Sequence, residues 1–315
     1  MRFLVTGSAG FIGFHLSLRL LKKKYEVYGL DSLNNYYSLK LKKKRLKILL
    51  SHENFFFKKA NLVNYKESKK IINIIRPDIV YHLAAQPGVL YSYKNPLSYR
   101  LNNIVATKNL LKIVKKIKIA KLIFSSSSSV YGDHKKCPIT ENFKLKPKNY
   151  YAKTKVACEN LIKKSGVPYI IFRIFTAYGS LGRPDMLFSI MLRRIYKNLD
   201  VNLYNHGNYL RDFTYIDDVI DILVKAYKKN IIKKIINICS SNPVKIKDLC
   251  SIMMKKLNKK FKINFLKRRK GEMIKTYGSN KVLRRIFQKN EFQSISLGVS
   301  NLINNFTLLE RKIKI

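Results

Sequence analysis

Short apolar runs alternate with amphipathic stretches through the first half of the chain. Runs rich in β-branched and aromatic residues fall at 2–6, 26–30, 54–57, 78–83, 121–125 and 169–175. Between them, in segments such as 66–75 and 102–116, apolar residues recur three and four apart, the spacing of one helix face. Strands that read as continuous apolar runs are buried on both sides, which places helices on both faces of a parallel sheet. With right-handed crossovers, this rhythm predicts an α/β fold built on a doubly wound, Rossmann-type parallel sheet. Past residue 179 the rhythm loosens. A helix is predicted over 185–197, another from Asp217, and short strands near 235–239 and 262–266. Residues 1–178 are read as a dinucleotide-binding domain, to which a segment at about 210–239 returns. Residues 179–315 are read mainly as a smaller α/β substrate-binding domain.

The first strand runs directly into Gly7-Ser8-Ala9-Gly10-Phe11-Ile12-Gly13, and a helical pattern follows. Glycines at this spacing permit a tight turn, close approach of a pyrophosphate and close packing of the helix on its strand, with free N–H groups facing the anion. The second strand ends in Asp31, a carboxylate suited to a ribose diol. Strand, turn, helix and acid together predict a bound dinucleotide, NAD.

Composition adds a formal charge of +46, with 64 Lys and Arg against 18 Asp and Glu. Lysine pairs and triplets recur at 22–24, 115–116, 163–164, 228–229 and 255–256, where helices are predicted to end and cations favour the dipole. They read as solvated faces of a compositionally biased chain rather than a nucleic-acid or membrane surface. The densest cluster, 40–47, lies beside the predicted cofactor edge and would steer anionic ligands at low salt. No apolar run approaches the 18 or so residues of a membrane span, so a cytoplasmic enzyme without membrane contacts is expected. Cys137, Cys158, Cys239 and Cys250 show no metal spacing and no disulfide framework. His15, His52, His82, His134 and His206 are scattered, and His82, inside an apolar strand, reads as a core histidine. No metal is expected.

Tyr151 and Lys155 fall one turn apart at the start of a predicted helix reaching about Lys164. Tyrosine is a poor base at its ordinary pKa of about 10, but an ammonium about 5 Å away, at an effective dielectric of 20, favours the phenolate by about 3 kcal/mol. The same spacing recurs at Tyr36/Lys40, Tyr65/Lys69, Tyr131/Lys135 and Tyr277/Lys281, so context must choose among them. Only Tyr151/Lys155 follows, by some twenty residues, a strand ending in a run of hydroxyls, Ser125 to Ser129. Parallel sheets bind ligands at such carboxyl ends, where a serine can share the proton of a substrate alcohol. No nucleophile elbow or paired-carboxylate arrangement points to a hydrolase.

Glycine turn, serine-rich strand end and Tyr151/Lys155 together resemble the extended short-chain dehydrogenase/reductase family, whose members modify nucleotide sugars with bound NAD. The likeness spans nearly the whole chain. It includes His82-Leu83-Ala84-Ala85-Gln86, then Asn103, Ala106-Thr107 and Asn109, and the stretch Arg211-Asp212-Phe213-Thr214-Tyr215-Ile216-Asp217-Asp218. Within that family, Ser92 to Pro96, Phe175 to Gly179 and Gly182-Arg183-Pro184-Asp185-Met186 look most like UDP-glucuronate 4-epimerases. The resemblance implies NAD contacts from Gly7, Gly10, Phe11, Ile12, Gly13, Asp31, Asn61, Leu62, Ala84, Ala85, Asn103, Tyr151 and Lys155. It gives catalysis to Tyr151, Lys155 and Ser127, and a sugar carboxylate to Ser127, Ser128 and Thr176 with Arg183 nearby. A nucleotide diphosphate falls to Arg211 and Arg269, and a homodimer is implied through the helices of 102–116 and 152–164.

Three positions depart from the family pattern. Leu90 stands where uronate epimerases carry arginine, Asn61 replaces an adenine-contacting aspartate, and Ser279-Asn280 replaces an acidic position. Dehydratases of the family carry an Asp-Glu pair where Ser128-Ser129 stand here, which favours epimerisation over elimination. The expected reaction is inversion of C4 of a UDP-sugar through a 4-keto intermediate, UDP-glucuronate to UDP-galacturonate. UDP-glucose 4-epimerase, a nucleotide-sugar dehydratase or decarboxylase, and a non-catalytic dinucleotide sensor or nucleic-acid binder are the alternatives.

Overall fold

The computed structural model describes residues 1–269 and 272–306. Strands and helices alternate as β1 (Arg2–Thr6), α1 (Phe11–Lys22), β2 (Glu26–Asp31), α2 (Leu39–Leu50), β3 (Phe55–Lys59), α3 (Tyr65–Ile75) and β4 (Ile79–His82). Two single-turn helices, α4 (Tyr91–Lys94) and α5 (Pro96–Tyr99), lead through a π-helical turn at Arg100–Val105 into α6 (Ala106–Lys116). Next come β5 (Lys121–Ser127), α7 (Tyr150–Lys164), β6 (Tyr169–Ile174), β7 (Thr176–Tyr178), α8 (Leu187–Tyr196), β8 (Val201–Tyr204), β9 (Leu210–Arg211) and β10 (Phe213–Tyr215). The rest comprises α9 (Ile216–Lys228), β11 (Lys234–Ile238), β12 (Val244–Lys245), α10 (Ile246–Leu257), β13 (Ile263–Leu266), α11 (Lys281–Phe287) and α12 (Ile295–Asn305).

Seven strands form the central sheet in the order β11-β6-β5-β4-β1-β2-β3, with every neighbouring pair parallel. The order reverses between β1 and β4, where a crevice must open at the strand ends. Side chains alternate across β1. Phe3 and Val5 join a core layer with Phe14 and Leu20 of α1 and Val219 and Leu223 of α9, while Leu4 joins Leu110 and Val114 of α6 on the other face. The returning strand β11 closes one edge of the sheet beside β6. Three two-stranded sheets are separate from it: β7 with β10, β9 with β12 and β8 with β13. Basic residues occupy the last turns of α1, α6, α7, α9 and α10, as the lysine pairs predict. Among the described residues, no helix is long and apolar enough to cross a membrane.

The lysine cluster at 40–47 lies beside the glycine turn as predicted, with Lys42 facing the same crevice as Gly10 and Asp31 and with Lys40, Lys43 and Lys47 exposed. It forms α2, where Leu41, Arg45 and Leu49 recur four apart on a buried face and Lys42 is buried beside them.

His82 is a core histidine. Its Nδ1 and Nε2 each lie 2.9 Å from a threonine hydroxyl, of Thr6 and Thr107 respectively. Burial, with the Lys155 cation nearby, pushes its pKa down to about 3. The unfolded chain takes up this proton near pH 6.5 and the folded one does not, so His82 favours folding above pH 6.5 and that advantage is lost as pH falls towards 3. Between pH 6.5 and 5 the loss is about 2 kcal/mol. Thermal melts should fall over this interval for the wild type and fall visibly less for His82→Gln.

Candidate active site

The walls of the crevice at the sheet reversal bring together most of the predicted residues. Gly7, Gly10, Phe11, Ile12, Gly13, Asp31, Asn61, Leu62, Ala84 and Ala85 line one arm. Ser127, Ser128, Tyr151, Lys155 and Thr176 line the middle, and Arg183 and Arg211 the other arm.

Gly7 sits at φ +74°, and a Cβ there would lie 2.8 Å from the backbone nitrogen of Ala84. The turn after β1 therefore presses directly on the chain leaving β4. At Gly13 a Cβ would come within 2.1 Å of the Gly7 carbonyl oxygen. The Asp31 carboxylate accepts the Ala9 N–H at 3.0 Å and the Leu33 N–H at 2.8 Å, which fixes it at the head of the turn. This cradle fits a dinucleotide, with backbone N–H groups for its phosphates and Asp31 for a ribose diol. Gly13→Ala should cost about 1–3 kcal/mol of overpacking at the cradle. The check is NAD content of the purified protein by absorbance after denaturation, expected to fall several-fold.

Helix α7 starts where the Asn149 side chain accepts the Ala152 N–H at 2.9 Å. That cap sets Tyr151 in the first turn and Lys155 one turn later, on the cleft side. Lys155 Nζ donates to the Ser125 carbonyl at 2.7 Å, packs 4.7 Å from the centre of the Phe124 ring and lies 6.0 Å from that of Tyr151. The Ser127 hydroxyl accepts the Ser129 N–H at 3.2 Å, and the Lys155 bond to Ser125 joins this strand end to the helix start. Two of the competing tyrosines are otherwise engaged. Tyr36 also lines the cleft, but its hydroxyl donates to Asp185, and burial together with that carboxylate pushes its pKa up to about 12. Tyr131 is fully buried and donates to Asn237 while accepting from Arg173.

Helix α7 is tied to the sheet beneath the site. Buried Glu159 accepts Arg173 Nε at 3.0 Å and Nη2 at 2.8 Å, and the Ser126 hydroxyl at 2.6 Å.

On the substrate side, Arg183 donates its Nε to one oxygen of Asp185 at 3.0 Å and an Nη to the other at 2.5 Å. Arg211 packs 4.6 Å from the Tyr209 ring centre and donates to the carbonyls of Leu210, Met273 and Ile274. Its pKa is lowered by burial, with Glu272 opposing.

Two predicted residues stand outside the cleft lining. Asn103 is buried behind it, where its amide takes the N–H and carbonyl of Gln86 and reaches Thr154 at 2.9 Å; it braces the loop after β4. Arg269 stacks 3.3 Å from the Tyr204 ring centre and pairs with Glu272 at 3.7 Å. Its neighbours Lys270 and Gly271 lie outside the described residues. Leu90, 42 % exposed, heads α4 away from the lining. Ser279 and Asn280 are buried, and the Asn280 amide donates to the carbonyls of Cys239 and Ser240, so this departure is structural. Lys42, within the cluster expected beside the cofactor edge, also lines the cleft, its Nζ donating to the carbonyl and side-chain oxygens of Asn34 at 2.7 and 2.6 Å, and Tyr36 and Met186, which carried no site assignment, line it too.

A doubly wound parallel sheet with a glycine cradle at its reversal, and a Tyr–Lys pair beside a seryl strand end, defines a Rossmann-fold enzyme that works with a dinucleotide. The chain belongs to the NAD dependent epimerase/dehydratase family, whose profile matches residues 3–239. A UDP-glucuronate 4-epimerase of Thermodesulfobacterium geofontis is 34% identical over 308 residues, covering 96% of this chain and 95% of that one. The crystal structure of UDP-glucuronic acid 4-epimerase from Bacillus cereus, in complex with UDP-glucuronic acid and NAD, superposes with a TM-score of 0.93 at 36% identity. It covers 98% of this chain and 100% of its own. UDP-glucose 4-epimerase from Thermotoga maritima, solved with UDP-glucose, gives 0.90 at 25% identity over 98% and 99% of the two chains.

Proposed function

We propose that this protein inverts C4 of UDP-glucuronate to give UDP-galacturonate. The observation that carries the reading is the convergence of Tyr151, Lys155 and Ser127 at one cleft whose first arm is the glycine cradle. NAD, when bound, supplies the hydride acceptor at C4 and the donor that restores the C–H bond. The phenolate of Tyr151 takes the 4-hydroxyl proton and later returns it, Ser127 hydrogen-bonds the same oxygen, and Lys155 stabilises the phenolate. Asn61, whose side-chain oxygen accepts the Val63 N–H at 3.0 Å, offers its amide hydrogens to the purine.

The sugar carboxylate is met by Ser127, Ser128 and Thr176, with Arg183 beyond them. Leu90 lies off the cleft lining, so the hydroxyls and Arg183 carry this recognition without it. Arg211 and, past Tyr209, Arg269 hold the diphosphate, because arginine forks suit paired phosphate oxygens. With this anchor fixed, the 4-keto sugar turns and presents its other face. Ser128 and Ser129 supply no group able to drive elimination at neutral pH, which disfavours dehydration.

Residues 1–178 and about 210–239 serve the cofactor, and 179–315 mainly the sugar nucleotide. The chain works in the cytoplasm as a homodimer, joined through α6 and α7. It does so without a specific nucleic acid. Light scattering should give twice the chain mass of 36.8 kDa. Incubation with UDP-glucuronate, followed by chromatography of the nucleotide sugars, should show UDP-galacturonate. Interconversion of UDP-glucose and UDP-galactose alone would overturn the uronate assignment and leave the epimerase.

A further inference from the structure

Arg45, on the inner face of α2, is fully buried. Arginine is seldom buried so completely without an ionic partner. Every hydrogen bond it makes among the described residues ends on a neutral oxygen. One Nη donates to the Ala9 carbonyl at 2.9 Å and the Tyr37 hydroxyl at 2.8 Å. Nε and the other Nη both donate to the Leu181 carbonyl, at 3.2 and 2.5 Å, and that second Nη also reaches the Gly182 carbonyl at 3.2 Å.

These acceptors belong to three separate segments around the cleft. Ala9 lies in the glycine cradle, Tyr37 in the loop after β2, and Leu181-Gly182 immediately before Arg183. Leu181 is held at φ +50°, a conformation that L residues adopt only at a cost, and its carbonyl is the one gripped twice. The planar five-donor fork of arginine can span such a set of acceptors, whereas a lysine ammonium presents its donors at one point. Two further ties brace the same segment: Arg183 to Asp185, and Asp185 to the Tyr36 hydroxyl at 3.1 Å.

We propose that Arg45 is a positioning residue that fastens the cofactor turn to the segment carrying Arg183, so that each end is held in place through the other. The proposal deepens the functional reading above and rests on it for the identity of the sugar. By linkage, weakening the tie loosens both ligands.

The test uses the NAD-loaded enzyme and two variants. Arg45→Met removes fork and charge, while Arg45→Lys keeps the charge and the greater chance of a native fold. In calorimetric titrations of Arg45→Lys, UDP-glucuronate should bind about tenfold more weakly while UDP alone binds as to the wild type, because only the sugar end meets Arg183. Both variants should release NAD about tenfold faster. A merely structural role would lower the melting temperature without changing the ratio of the two dissociation constants. An Arg45→Lys enzyme with an unchanged ratio overturns the proposal. Should the wild type bind UDP-glucuronate no more tightly than UDP, the uronate reading fails, and Arg45 is judged on NAD release. An unchanged release rate then overturns it.

Discussion

Tyr151→Phe is expected to lower turnover about 10³-fold or more while NAD content and melting temperature stay at wild-type values. The substitution removes one oxygen from the first turn of α7 and leaves the ring packed against Tyr99, whose ring centre lies 6.2 Å away. Lys155 keeps its bond to the Ser125 carbonyl and its place over Phe124, neither of which involves the phenol. What disappears is the proton acceptor for the sugar hydroxyl. Neither Ser127, a weak acid whose hydroxyl accepts from Ser129, nor Tyr36, committed to Asp185, replaces it. Initial rates from product chromatography and cofactor content by absorbance check both halves. Activity near the wild-type level would move the base elsewhere.

The largest loss of stability is expected from Arg173→Met. Glu159 and Arg173 form a buried ion pair with side chains 0% and 3% exposed, and removing the cation strands a carboxylate in the interior. Breaking such a pair from one side costs about 3–5 kcal/mol. The Ser126 hydroxyl stays on Glu159, but the two guanidinium bonds go, as does that to Tyr131. Because Glu159 lies one turn past Lys155, the helix that carries the catalytic pair loses its tether to β6. Urea denaturation of Arg173→Met should show the deficit. The double variant with Glu159→Leu should recover a large part of it, since replacing both partners removes the stranded charge. Equal stability of single variant and wild type would contradict this account of the network.

Much of this architecture was legible in the chain. The six apolar runs of the first 175 residues became parallel strands within a few residues of their predicted bounds, because strands buried on both faces have little freedom of composition; the edge strand β3, exposed at three of its five residues, is the exception. The glycine turn was readable because its close approaches, at Gly7 to Ala84 and Gly13 to Gly7, tolerate no side chain. Tyr151 could be picked out from its look-alikes only through the serine-rich strand before it, and the partners of Tyr36 and Tyr131 supply the rest of the discrimination.

Helix α2 escaped because lysine at 40, 42, 43, 44 and 47 flattens the contrast between its faces. Its signal was the recurrence of Leu41, Arg45 and Leu49 at spacing four, with a cation standing in the apolar row. Asn103 shows the converse: a motif position marks a residue as necessary without saying whether it meets a ligand or braces a loop, and here its amide is spent on Gln86 and Thr154. Of the short strands in the small sheets beyond residue 179, β13 was read near 262–266, and the others, of two to four residues, are too short for periodicity to reveal.

The central claim is that one cleft removes and restores the hydrogen at C4 of a uronic acid sugar without exchanging it with water. UDP-glucuronate carrying deuterium at C4, incubated with the NAD-loaded enzyme in ordinary water and followed by mass spectrometry and proton NMR, tests it directly. The account predicts UDP-galacturonate with the label still on C4. Loss of the label to solvent, or a pentose or dehydrated product in place of the C4 epimer, would contradict it.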